Sequence, residues 1–144
     1  MLLGEYRHNL DEKKRISLPS KLRKELGKAV VITRGLDHCL FIYSKSEWKK
    51  LADQLSSVSM GHANSRAFNR FMLAGATDVE VDSAGRILIA DFLKDFAGLN
   101  EDVVISGVGS RVEIWDEARW KKYSKQIEKD ADYFAEKLGE IGMI

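Results

Sequence analysis

Polar and apolar residues follow the same order at two places in this chain. Residues 11–19 read Asp, three polar residues, Arg, and then apolar positions that alternate with serine. Residues 82–90 repeat Asp, three residues, Arg and an apolar run. The two stretches begin 71 residues apart in a chain of 144, so the pattern predicts an internal duplication.

The similarity continues through the segments that follow each stretch. Helical periodicity with a closing glycine predicts a short helix, and β-branched runs predict two strands after it. Each half then ends in a helix with an early tryptophan followed by two lysines. The equivalent segments are 20–27 and 91–98 for the short helix, 30–33 and 103–106 for the next strand, 39–43 and 111–115 for the second strand, and the helices of Trp48 and Trp120.

Further elements come before and between these segments. Residues 2–10 predict a first strand, and the alternating residues 78–82 predict a strand leading into the second motif. Residues 64–74 predict a helical connector, and a long helix is expected from about Glu117. Three N-caps are predicted from residue type: Ser20, Ser46 and Asp91. Trp48 and Trp120 lie on apolar stripes and are expected in the core.

A repeat of about 70 residues built from short strands buries too little apolar surface to be stable alone. The two halves are therefore expected to complete one core. The predicted fold class is α+β, with two tandem halves sharing one pseudo-symmetric β core and flanking helices that include a long C-terminal helix. The predicted segments are a first repeat at 1–60, a helical connector at 61–76 and a second repeat at 77–144.

Composition places the chain among soluble globular proteins, with 44% apolar and 31% charged residues. No apolar run approaches the length of a membrane span, and the first residues lack a signal-peptide pattern. A single cysteine, Cys39, cannot form an internal disulfide, which agrees with a reducing compartment. These features predict a cytoplasmic protein.

The net charge of +1 hides a strong difference between the halves. Residues 1–72 hold 14 Lys and Arg against 7 Asp and Glu, a net charge of +7. Residues 73–144 hold 9 against 15, a net charge of −6. This asymmetry predicts that the basic half meets an anion, that opposite ends of neighbouring copies attract one another, or both.

The two Asp-x-x-x-Arg motifs, each followed by an Ile-x-Leu or Ile-x-Ile strand and a short helix, resemble the MraZ family. Gly107 and residues 114–116 extend the resemblance over nearly the full chain. The resemblance implies two AbrB-like swapped-hairpin halves and a bacterial DNA-binding transcriptional regulator, cytoplasmic and nucleoid-associated. It also implies binding to short direct repeats upstream of the division and cell-wall gene cluster, including the protein's own gene, and a homo-oligomeric ring, an octamer or larger.

Two positions depart from the family pattern. Lys14 stands where family members usually have Gly before the first Arg, and Ala90 stands where they usually have Pro after the second strand. If the first position requires a positive φ, Lys14 is strained by about 1 kcal/mol while adding a cation. The geometry of the first loop is therefore the point at which this chain and the family pattern disagree.

DNA binding by such a fold needs cations on projecting turns, because phosphate contacts dominate affinity and base-edge contacts specify sequence. Arg15 and Arg86 are the predicted base readers, since a guanidinium can donate to guanine O6 and N7 together. Phosphate contacts are predicted for six further cations: Arg7, Lys13, Lys14, Lys21, Arg23 and Lys24. Asp11, Asp82 and Gly85 are expected to shape the two turns.

Other interpretations of the same residues stay open. Each Asp and Arg pair can be a purely structural closure of its turn, and the basic helix face can be an ordinary solvated surface. An enzyme is not favoured, because His38 and Cys39 head an apolar strand and the histidines lack metal-ligand spacing. No catalytic residue, metal or cofactor is predicted. The alternative function is an oligomeric protein-interaction scaffold of the same fold, using the acidic last helix.

Overall fold

A computed structural model describes the whole chain, Met1 to Ile144. The strands are β1 (Leu2–Asn9), β2 (Arg15–Ser17), β3 (Ala29–Arg34), β4 (Leu40–Ser44), β5 (Thr77–Glu80), β6 (Arg86–Leu88), β7 (Asp102–Gly109) and β8 (Val112–Asp116). The helices are α1 (Ser20–Leu26), α2 (Lys45–Ser56), α3 (Ala63–Asn69), α4 (Asp91–Ala97) and α5 (Glu117–Glu140). The π-helical segment Arg70–Ala74 continues α3. Each helix and strand expected from the sequence is present.

Six strands form one antiparallel sheet in the order β1-β7-β8-β4-β3-β5. The first strand of each repeat pairs with the third strand of the other repeat, β1 with β7 and β5 with β3. At the centre of the sheet β4 pairs with β8, one strand from each repeat. Neither repeat closes its own sheet, so the two halves share one pseudo-symmetric core and the predicted α+β fold is confirmed.

The remaining strands, β2 and β6, pair as a separate two-stranded ribbon with Ile16 opposite Ile87. Both isoleucines have no exposed surface and belong to the larger core cluster, together with Leu22 of α1 and Leu93 of α4. The ribbon, α1 and α4 thus cover one face of the large sheet. A smaller core that includes Trp115 lies on the other face, where α2, the π-helical segment and α5 pack.

The starts of α1 and α4 differ from the prediction. Pro19 and Ala90 occupy the N-cap positions, and neither makes a side-chain capping bond. Ser20 and Asp91 are therefore the first helical residues, and the N-cap prediction for both was wrong. The cause is that Pro19 and Ala90 have extended backbones, and the helix begins at the very next residue.

The start of α2 also differs from the prediction. The hydroxyl of Ser44 accepts the backbone N–H of Glu47 at 3.2 Å, so Ser44 is the N-cap and Ser46 lies inside the helix. Strand β4 ends at Ser44 and α2 starts at Lys45, which leaves no loop between them. Apolar periodicity alone could not place this boundary to better than about two residues.

Helix α5 has 24 residues and no buried side chain. Trp120 near its start is partly buried against the smaller core, as is Trp48 of α2, but residues 131–144 are all exposed. The exposed positions include six large apolar side chains: Tyr133, Phe134, Leu138, Ile141, Met143 and Ile144. No helix of the protein combines the length and the apolar composition needed to cross a bilayer.

Candidate nucleic-acid interface

The first arginine motif is a turn closed by its own aspartate. Asp11 Oδ1 accepts the backbone N–H groups of Lys13 and Arg15, both at 2.9 Å. The carbonyl of Asp11 accepts the N–H of Lys14 at 2.9 Å, and the carbonyl of Arg15 accepts the N–H of Asp11 at 3.0 Å. An aspartate that bonds to amides two and four residues ahead closes the loop through the loop's own residues.

The second motif repeats these bonds one by one. Asp82 Oδ1 accepts the N–H of Ala84 at 2.9 Å and of Arg86 at 2.8 Å. The carbonyl of Asp82 accepts the N–H of Gly85 at 2.9 Å, as expected for a turn with glycine at its last position. The two loops are therefore the same backbone structure at opposite ends of the ribbon.

The aspartates also hold the two arginine side chains. Arg15 Nε donates to Asp11 Oδ2 at 2.8 Å, and Arg86 Nε donates to Asp82 Oδ2 at 2.9 Å. The two Nη atoms of each guanidinium have no hydrogen-bond partner in the protein, and about a third of each side chain is exposed, 28% for Arg15 and 33% for Arg86. Each guanidinium is therefore fixed at one nitrogen and free to donate from the other two.

The ribbon presents both arginines on its outer face. Ile16 and Ile87 point into the core, so their neighbours Arg15 and Arg86 point away from it. Arg15 lies opposite Leu88, and Arg86 lies opposite Ser17, so the arginines are diagonal neighbours across the two strands. A two-stranded ribbon of this kind fits the major groove of B-form DNA.

The carboxylates that hold the arginines are poised to stay ionised. The backbone N–H of Arg15, followed by its guanidinium, lowers the pKa of Asp11 below its usual range. The same two groups of Arg86 lower the pKa of Asp82. Each loop therefore keeps its charged acceptor, and with it the orientation of its arginine, at neutral pH.

The first loop differs from the second at the residue before the arginine. Lys14 has φ of +59°, and Gly85 at the equivalent place has φ of +80°. The positive φ expected at Lys14 is thus confirmed, and a lysine carries the strain that glycine avoids. Lys14 Nζ forms an ion pair with Asp91 at the start of α4, which lowers the pKa of that carboxylate.

The structure brings most of the other predicted cations to the ribbon side, but not all of them. Lys13 is exposed on the first loop, and Lys21, Arg23 and Lys24 lie on α1 beside the ribbon. Arg7 instead points to the opposite face of the large sheet. There it lines a groove with Trp120 and Lys121 of α5.

One basic residue near the ribbon was not predicted from the sequence. Lys28 follows the glycine that closes α1, and its carbonyl accepts the N–H of Val81 at 2.8 Å, next to the second loop. The run of cations on α1 extends to it after the intervening Gly27. This run of cations was the feature of the sequence that could have predicted Lys28 as part of the interface.

Of the histidine and cysteine considered for catalysis, Cys39 is packed in the core and His38 is exposed. Cys39 has no exposed surface, its Sγ donates to the Leu36 carbonyl at 3.2 Å, and burial raises the pKa of its thiol. The ring of His38 lies 5.8 Å from that of Phe96. A thiol held protonated in this way is a poor nucleophile. No group of three or more His, Cys, Asp and Glu residues is arranged to hold a metal ion.

These features define a class: a tandem-repeat protein in which each half completes the other's sheet and two aspartate-held arginines share one ribbon. The family model described as "MraZ protein, putative antitoxin-like" matches residues 1–71 and again residues 72–138. The chain therefore belongs to the MraZ family, as its motifs predicted.

Individual relatives agree with the family assignment. A protein of Heliobacterium modesticaldum is 48% identical over 138 residues, which cover 96% of each chain. One of Acetivibrio thermocellus is 47% identical over 143 residues, covering 99% of this chain and 100% of the relative. Both are named "Transcriptional regulator MraZ", which agrees with the predicted class of regulator.

A solved structure, "The solution structure of PHS018 from pyrococcus horikoshii", is 13% identical with a TM-score of 0.32, covering 79% of this chain and 88% of that one. A likeness this low adds nothing to the assignment.

Proposed function

We propose that the protein is a sequence-specific regulator of transcription that binds double-stranded DNA. In this proposal it acts in the cytoplasm, associated with the nucleoid, at short direct repeats upstream of the division and cell-wall gene cluster that includes its own gene. The observation that supports DNA recognition is the ribbon, whose outer face carries Arg15 and Arg86, each held at Nε and free at both Nη atoms.

In the proposed complex the ribbon enters the major groove, and the free Nη atoms of Arg15 and Arg86 donate to guanine O6 and N7. Asp11 and Asp82 orient the guanidinium groups in advance, so less side-chain entropy is lost on binding. Lys13, Lys21, Arg23 and Lys24 contact phosphates on either side of the ribbon. Lys14 contributes less, because Asp91 already neutralises it. Arg7 lies on the opposite face of the sheet, so it would contact DNA only if a second duplex or a neighbouring subunit lay on that face.

The same proposal includes a homo-oligomeric ring. The last part of α5 is exposed and carries apolar side chains, and the net charges of +7 and −6 on the two halves favour a head-to-tail contact. A ring would set many ribbons side by side, matching direct repeats and strengthening weak single contacts through effective concentration. Mass photometry at physiological salt tests this part, and a monomer there would contradict it.

The test of DNA recognition is fluorescence anisotropy on the duplex just upstream of the protein's own gene and on a scrambled duplex, across a salt series. We expect Arg15→Ala and Arg86→Ala each to weaken binding to the native duplex by about 1–3 kcal/mol, or roughly 5- to 150-fold. Binding to the scrambled duplex should fall much less. Arg66→Ala is the matched control, because Arg66 is a cation of α3 on the other face of the sheet.

Two outcomes would contradict the proposal in different ways. Equal losses on both duplexes for Arg15→Ala and Arg86→Ala would show that these arginines do not read bases. Weak binding by the wild type, with no salt dependence and no preference for the native duplex, would instead favour the scaffold alternative, in which the exposed α5 meets a protein partner.

A further inference from the structure

Helix α1 of the first repeat lies against the loop of the second repeat. A Cβ atom built on Gly85 would lie 2.2 Å from Nη1 and 2.6 Å from Cζ of Arg23. The guanidinium of Arg23 therefore occupies the space that any side chain at position 85 would need. The ribbon pairing explains this placement, because the carbonyl of Gly85 accepts the N–H of Leu18 just before α1 begins.

Between α1 and the second loop there is an open groove with a volume of about 520 Å³. Its charged lining residues are Arg23, Lys24, Lys28 and Asp82. The oxygens of Asp82 are already committed to Ala84 and Arg86, as described above. The side chains of the three cations make no hydrogen bond or ion pair in the protein, and Nε of Arg23 is buried without a partner.

The pseudo-equivalent positions at the first loop carry a different set of charges. The repeat offset of 71 residues pairs Arg23 with Lys94 and Lys24 with Asp95. Lys28 and Glu101 are equivalent because each accepts, at its carbonyl, the N–H of the residue before a motif aspartate. That residue is Val81 for Lys28 and Leu10 for Glu101. Three cations therefore flank the second loop, where the first loop has one cation and two anions.

We infer that the groove between α1 and the second loop is a phosphate site, which holds a backbone phosphate of the DNA beside the base read by Arg86. This inference rests on the proposed function and adds an assignment to it: the first repeat supplies the anchor for the second repeat's reader. Arginine and lysine head groups without internal partners are the donors that a phosphate prefers, and phosphate contacts fix the register of a base reader.

Binding measurements with neutralised variants test the inference. Arg23→Gln, Lys24→Gln and Lys28→Gln together should reduce the magnitude of the salt slope by roughly 1, the value for one phosphate, on native and scrambled duplexes alike. The ratio of the two affinities should change little, because the removed contacts carry no base information. Lys94→Gln, the matched change at the first loop, should leave the slope unchanged. A slope that falls equally for Lys94→Gln, or that stays unchanged in the triple variant, would overturn the site.

Lysine footprinting gives a second readout on the wild-type protein. The upstream duplex should slow acetylation of Lys24 and Lys28, measured by mass spectrometry against the DNA-free protein, and leave Lys94 reacting as before. Unchanged reactivity of Lys24 and Lys28 while the native duplex is still preferred would refute the groove and leave the proposed function standing. If the wild-type protein binds the native and scrambled duplexes equally well, the proposed function itself is refuted.

Discussion

The loops at residues 11–15 and 82–86 share every hydrogen bond that closes the turn and differ in the charges around those bonds. The first loop holds Lys13 and Lys14 within the turn, and Asp91 neutralises the second of them. The second loop is built from Ser83, Ala84 and Gly85, and receives its cations from α1 of the other repeat. Duplication kept the backbone that orients the arginine and redistributed the charges that would meet a phosphate.

The difference at position 85 links backbone conformation to packing. Gly85 satisfies a positive φ and also leaves room for Arg23, whereas Lys14 satisfies the positive φ at a cost and leaves no such room. The departure of Lys14 from the family pattern is therefore tolerable at the first loop, where no guanidinium packs on the turn. The same residue at the second loop would displace the proposed phosphate anchor.

The largest effects on stability are expected in the ribbon core, because the buried residues there hold both loops in place. Ile16→Ala and Ile87→Ala should each lower the free energy of unfolding by about 2–5 kcal/mol, because both side chains are fully buried between the ribbon and the sheet. Chemical denaturation at one protein concentration measures this. Leu88→Ala is the control from the same strand, 54% exposed and expected to change stability by about 0.5 kcal/mol or less. Losses as small as that for Ile87→Ala would contradict a ribbon packed on the core.

A smaller effect should separate the two loops. Gly85→Ala should cost about 1–2 kcal/mol for the positive φ, and more if Arg23 cannot move aside. Lys14→Ala keeps one L residue in place of another and loses only an exposed ion pair, so its cost should be about 1 kcal/mol or less. Thermal unfolding of the two variants in parallel measures the difference. Equal costs would show that the loops are interchangeable in solution.

The reverse substitution sharpens the comparison. Lys14→Gly removes the strain of a positive φ but adds freedom to the unfolded chain, so we expect a gain of less than about 1 kcal/mol. Loss of the ion pair with Asp91 offsets part of that gain, and the gain should be clearer at 1 M salt, where the pair is screened. A loss of stability at both salt concentrations would mean that Lys14 is not strained.

Much of the fold could be predicted because the repeat is local and regular. The motif spacing located both loops, and the alternation of Ile16 and Leu18 with Ser17 predicted a half-buried strand at the first of them. The pairing between repeats follows from long-range contacts, which periodicity does not encode. Sequence reasoning therefore predicted Arg23 as a phosphate contact without placing it, whereas the pairing of β2 with β6 brings it to Gly85 of the other repeat. Arg7 illustrates the same limit, since the face on which it lies depends on strand register.

The smallest effect is on stability at low pH, and it should be the same for both loops. The pKa values of Asp11 and Asp82 are lowered by the arginine backbone N–H groups and guanidinium groups, so each folded carboxylate binds its proton less readily than an unfolded one at about 3.9. Their contribution to stability is present above that value and is lost as the pH falls through the lowered folded-state pKa. Asp11→Asn and Asp82→Asn should each flatten the decline in melting temperature below about pH 4, by similar amounts. A decline as steep as that of the wild type in either variant would mean that the aspartate does not hold its arginine in solution.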